Sequence, residues 1–195
     1  MLVGQFRDPL LGRDILYGTI FGLILVLIYG VRQILMMRAG APPAFYSEDF
    51  LMGGRFALGA WLMHVPLAIQ FTLIAFFLLF VLRTVARKQW VAAILFIALW
   101  TTVKVLVSDY PMIDLPLQLL IYTPLVIVVF RFGLVALATG MVVADVLLNA
   151  ALTLDFSAWY ASTGVVVLLS VAAIAVWGFF NALGGQKLWQ TDPFS

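Results

Sequence analysis

Between Phe56 and Leu82 the chain runs for 27 residues without a Lys, Arg, Asp or Glu. A helix that crosses a hydrocarbon core about 30 Å thick needs about 20 largely apolar residues. The stretch therefore suits a bilayer and is unfit for a water-exposed surface. Five further runs read the same way, at about 15–35, 90–107, 115–130, 132–154 and 164–183, the fourth helix being short and interrupted by Pro124. The expected fold is all-α, a polytopic integral membrane bundle of about six helices forming a single transmembrane domain over 1–195. Strands of a barrel would alternate over about 10 residues, which these runs do not. Only Arg131 separates the fourth and fifth runs, so a tight helical hairpin is expected there.

The chain is 65% hydrophobic and 10% charged, against roughly 45–50% apolar and about 25% charged in soluble domains. That balance excludes a water-soluble globule. The formal charge is only +2 and the charges stand singly, which gives no electrostatic footprint for nucleic acid. With no cysteine and one histidine, thiolate metal sites, disulfides and multi-histidine centres are excluded, and no metal site is expected. There is no phosphate loop, nucleotide fingerprint or nucleophile elbow. No catalytic residue is assigned and the chain is not expected to be an enzyme.

The apolar stretch within Met1 to Leu35 is too long for a signal peptide and lacks a small-residue cleavage site, so a retained helix is expected. Basic residues are held on the cytoplasmic side. With both termini inside, the cytoplasmic loops collect Arg7, Arg13, Arg83, Arg87, Lys88, Arg131 and Lys187, against Arg32, Arg38 and Arg55 outside. The outer side also gathers Glu48, Asp49, Asp109, Asp114 and Asp155. Ala41-Pro42-Pro43 breaks the outer loop, beyond which Ser47 can cap a short helix. Trp159 and Tyr160 are expected as interfacial anchors at headgroup level.

Ionisable residues inside spans are costly and mark candidate functional positions. Lys104 lies 14 residues into the third helix and Asp145 13 residues into the fifth, each roughly 20 Å from the inner boundary at about 1.5 Å per residue. The expectation is an intramembrane ion pair, with Asn149, one turn beyond Asp145, completing a polar cluster. The alternative has Lys104 snorkelling outward to Asp109 or the headgroups. A structural hydrogen-bonding role competes with a proton or cation site for Asp145 and Asn149. Ala136, Gly140 and Ala144, and Gly18 with Gly22, form small-residue strips that permit close helix packing. In the second helix Pro66 is expected to kink the chain near His64 and Gln70. His64 is a candidate axial ligand for a tetrapyrrole, against the plainer reading of a hydrogen-bonded structural residue. Cofactors remain unknown.

Four stretches, Phe6-Arg-Asp-Pro-Leu-Leu-Gly-Arg-Asp14, Arg131-Phe-Gly-Leu-Val-Ala-Leu137, Leu154-Asp-Phe-Ser-Ala-Trp-Tyr-Ala161 and Gly178-Phe-Phe-Asn-Ala-Leu-Gly-Gly185, together resemble the membrane-embedded carboxy-terminal region of bacterial eukaryotic-like serine/threonine protein kinases. The resemblance implies a cytoplasmic kinase domain followed by a multi-helix anchor in a bacterial inner membrane, with which the orientation read from the basic residues, both termini cytoplasmic, is compatible. The chain carries no Gly-rich ATP loop, His-Arg-Asp or Asp-Phe-Gly motif, so no kinase residue carries over. The leading expectation is a non-catalytic module that anchors or scaffolds partner membrane proteins, as an accessory subunit. The alternatives are a small-solute or ion transporter subunit using Lys104, Asp145 and Asn149, and a pigment- or haem-associated subunit. Its expected partners are the lipid bilayer and other membrane proteins, with no nucleic acid.

Overall fold

Helix ends are set by residues that satisfy or withhold backbone hydrogen bonds, and they refine the apolar runs into elements. A computed structural model describes residues 8–42, 52, 54–150, 152–153 and 155–184. The expectations placed on Arg7, Pro43, Ser47, Glu48, Asp49, Leu154, Gly185 and Lys187 lie outside those residues. Among the described residues all regular structure is helical, in five helices long and apolar enough to cross a membrane: α1 (Pro9–Arg38), α2 (Gly54–Ala86), α3 (Gln89–Leu106), α4 (Pro111–Asn149) and α5 (Ala161–Ala182).

α1 starts ahead of its apolar run. Asp8 accepts a hydrogen bond from the backbone N–H of Leu10 at 2.9 Å and Pro9 occupies the first turn, a side-chain cap followed by a residue whose ring already fixes a helical φ. Arg13 and Asp14, which precede the apolar run, are therefore helical and bridge one another at the surface at 3.2 Å. Pro66 lies inside α2. The α2–α3 turn is closed by Arg87 at φ 56.

The fourth and fifth runs are joined in α4, whose 39 residues would stretch about 58 Å if straight. They are not straight, because Gly133 has φ 83 and ψ −164, which divides the element into limbs 111–132 and 134–149. The limbs run along α1 in opposite senses. In the first, Asp114 meets Arg32 and Phe132 stacks on Tyr17 with centroids 4.2 Å apart; in the second, Ala136 meets Gly18 and Gly140 meets Gly22. The second limb stops at Asn149 rather than near 154. Asn149 Nδ2 turns back onto the Asp145 carbonyl at 2.7 Å and Ala150 is extended, a side chain competing for the acceptor that continues the helix.

No atom lies within 4 Å of a Cβ built on Gly133. Its backbone conformation alone favours glycine. Gly133→Ala is expected to cost about 1–3 kcal/mol through conformational strain, read as earlier thermal unfolding in mild detergent. An unchanged midpoint would mean that the break does not depend on this backbone angle.

These contacts define two ends. At the near end the start of α1 meets the end of α5, where Gly12 abuts Gly178 and Ala182 and Gly184 abuts Pro9; the α2–α3 turn and Gly133 lie at this end too. At the far end are the close of α1, the start of α2, the α3–α4 turn and the α4–α5 loop. Arg13, Arg83, Arg87, Lys88 and Arg131 belong to the near end. In the α4–α5 loop Asp155 Oδ1 accepts from Ser157 Oγ at 2.6 Å and from its N–H at 3.0 Å, which holds its carboxyl below the usual carboxylate range. Trp159 is 68% exposed beside this loop, its ring edge-on to Tyr160.

The core follows α1 and α4. Phe21, Leu25, Leu79, Phe96, Ile121, Leu125 and Leu137 are buried together, and a second cluster joins Ala57 and Ala60 of α2 to Val143, Val146, Val167 and Val171. Outward faces carry exposed Phe77, Phe80, Leu106 and Val166, which are tolerated where the surroundings are hydrocarbon rather than water.

Candidate functional site

Polar side chains in the far half of the bundle gather into two arrangements. The first is built on Asp145. His64 Nδ1 lies 2.7 Å from Asp145 Oδ2, and Asn149 Nδ2 lies 3.3 Å from Oδ1. With the aspartate ionised, His64 donates through its Nδ1–H. Asp145 thus finds its ring partner on α2 rather than on α3. The expected Lys104–Asp145 ion pair does not form, nor does a contact from Lys104 to Asp109; among the described residues the Lys104 ammonium has no ion pair or hydrogen bond. α3 ends two residues beyond Lys104, which leaves its flexible stem at the helix end instead of holding it across the bundle.

Lys104 and Asp145 nevertheless share a cleft of about 240 Å³. Its walls come from α1 (Leu25, Tyr29), α2 (Leu67, Phe71), α3 and both limbs of α4 (Ile121, Tyr122, Leu125, Met141, Leu148). Ala144, one of the expected small residues, lines it beside Asp145. The other small residues, Gly18, Gly22, Ala136 and Gly140, serve the α1–α4 contact that sets its width. Trp100 stacks on Tyr122 with centroids 6.2 Å apart. Next to this wall Trp100 Nε1, Thr101 Oγ1 and Gln118 Oε1 are buried without a hydrogen-bond partner. Thr19, Thr72 and Thr84 each donate to the carbonyl four residues back, and Thr101 does not.

The second arrangement is a clamp at the far end. Arg32 Nε donates to Asp114 Oδ1 at 2.6 Å and Arg32 Nη2 to Oδ2 at 3.0 Å, while Ser108 Oγ also donates to Oδ2. Asp114 is 1% exposed. Bidentate charge-assisted bonds of this kind are stronger than neutral ones and fix geometry, so the end of α1 is tied to the α3–α4 turn. No signal in the sequence pairs these two residues beyond the basic-residue count, which puts Arg32 and Asp114 on the same side of the membrane.

A larger groove of about 450 Å³ lies between α2 and α5, lined by Ala57, Trp61, Val166, Val167 and Ser170 among others. Among the described residues it has no charged side chain, and Ser170 Oγ is already bonded to the Val167 carbonyl. Such a surface suits lipid and offers a solute no orienting charge. The 240 Å³ cleft is the better candidate despite its smaller size. Among the described residues no three His, Cys, Asp or Glu side chains converge on a point where they could hold a metal, and His64 is committed to Asp145 through Nδ1.

Comparison with models of known protein families, with curated proteins and with solved structures gives no significant match. Parts of three of the four stretches that carry the kinase-region resemblance meet at the near end, where Pro9 and Gly12 touch residues 178–184 and Tyr17 stacks on Phe132. None of the described residues of the four stretches lines the cleft.

Proposed function

We propose that the chain is an integral membrane module that binds a small polar solute in the Lys104–Asp145 cleft, acting as the solute-binding subunit of a larger membrane assembly. The observation that carries this reading is that two opposite charges line one cleft within membrane-spanning helices and do not neutralise each other. Asp145 lies within a membrane-spanning limb, where an ionisable group is expensive, and one oriented solute would meet both charges. In this reading the two limbs of α4 cross the bilayer separately, giving six crossings, and the near end with its basic residues faces the cytoplasm. The resemblance supports a bacterial inner membrane. His64 and Asn149 hold the Asp145 carboxylate in place.

The test is to purify the chain from its native membrane in mild detergent, denature it and identify the small molecules released by mass spectrometry. Wild-type protein is expected to release a solute that Asp145→Asn does not. Identical released fractions from the two proteins would sink the reading.

The anchoring role expected from the sequence is kept as a second reading by one observation, the meeting of three resembling stretches at the near end. It predicts that a larger protein travels with the chain through the same purification, whether or not a solute does.

A further inference from the structure

The solute-binding reading leaves the ligand's chemistry open, and the lining of the cleft narrows it. We infer that the cleft takes a compact zwitterion with an apolar body, an amino-acid-like molecule whose carboxylate meets Lys104 and whose ammonium meets Asp145. This inference rests on the proposed solute-binding role.

Asp145 keeps acceptor capacity for such an ammonium. An ionised carboxylate offers about four lone-pair sites, and His64 and Asn149 are the side chains bonded to its oxygens. Lys104 presents three N–H donors, with no hydrogen bond or ion pair among the described residues. A solute bearing a single positive charge would be repelled by Lys104, and one bearing a single negative charge by Asp145. Only a solute carrying both charges satisfies both walls, which is selection by repulsion as much as by attraction. The rest of the lining is largely hydrocarbon and aromatic, including Leu25, Phe71, Ile121, Leu125 and Leu148, so the body of the ligand is apolar. The volume of about 240 Å³ falls below the roughly 300–1,000 Å³ typical of drug-sized ligands. The solute is correspondingly small.

The test uses the full chain in lipid nanodiscs and three probes of one skeleton: L-leucine, isoamylamine, which lacks the carboxylate, and 4-methylpentanoate, which lacks the amine. Equilibrium binding is expected to favour leucine at least tenfold over either analogue. Lys104→Met should weaken leucine at least tenfold while leaving isoamylamine unchanged or improved, because the repelling charge is gone. Asp145→Asn should weaken leucine and spare 4-methylpentanoate in the same way. Retained binding of the matching analogue shows that each variant is folded. If an analogue binds wild-type protein as tightly as leucine, the zwitterion inference is overturned while solute binding stands. If no probe binds, the inference is also overturned, and the solute released from the native protein decides the broader reading independently.

Discussion

Asp114→Leu should destabilise the bundle by about 3–5 kcal/mol, the range found when one member of a buried ion pair is removed. Arg32 then keeps its charge while losing both carboxylate oxygens, at 2.6 and 3.0 Å, and Ser108 loses its acceptor. The side chain of Arg32 is 21% exposed, too little for water to replace those two bonds fully. Arg32→Leu in the same background removes that charge as well. Replacing both members of a buried pair by apolar residues is often neutral or stabilising, so the double variant should recover more than half of the loss. Thermal unfolding in mild detergent measures both. A double variant no better than Asp114→Leu would show that the clamp's contribution lies outside the Arg32–Asp114 pair.

That clamp illustrates what the sequence carried and what it did not. Apolar runs marked the helices, because burying 20-residue segments in lipid is a one-dimensional requirement legible from composition. Helix ends were less legible, since Asp8 and Asn149 act through single hydrogen bonds that override the hydropathy boundary. The Asp8-Pro9 pair was a readable cap signal that hydropathy alone passes over.

The partner of Asp145 was the harder question. Depth measured from the inner boundary matched it with Lys104. Counted from the outer ends of the helices, Lys104 lies two residues in, Asp145 four and His64 ten, so depth along the axis does not single out His64 from that side either. What no count supplies is the rotation of each helix about its axis, which packing decides. Both small-residue strips were visible in the sequence, yet the pairing of Gly18 with Ala136 and Gly22 with Gly140 required the three-dimensional arrangement.

Gly22→Leu is expected to have an effect as large as the loss of the clamp, by a different route. A Cβ at Gly22 would lie 2.6 Å from the Gly140 carbonyl oxygen and 2.8 Å from Val143 Cβ. The obstructing atom is backbone, so no rotamer change relieves it and the two helices must separate. Neighbouring Gly18 and Gly140 face each other equally closely, a Cβ on Gly140 lying 2.8 Å from the Gly18 carbonyl oxygen, so separation at one position opens the whole strip. Overpacking a tight contact costs about 1–3 kcal/mol for small insertions. Gly22→Ala should fall in that range, and the larger Gly22→Leu should exceed it, leaving little folded protein. Gly30 provides the control, because nothing lies within 4 Å of a Cβ on that residue of the same helix; Gly30→Ala should be neutral or add about 0.5–1 kcal/mol through helix propensity. The separation should also reach the cleft, since Leu25 lies one turn beyond Gly22 on α1 while Ala144 and Asp145 lie one turn beyond Gly140, and all three line it. A Gly22→Ala protein that still folds should therefore bind its solute more weakly, whereas Gly30→Ala should bind as wild type. Equal unfolding midpoints for Gly22→Ala and Gly30→Ala would mean that this close approach is not what holds α1 against the second limb of α4.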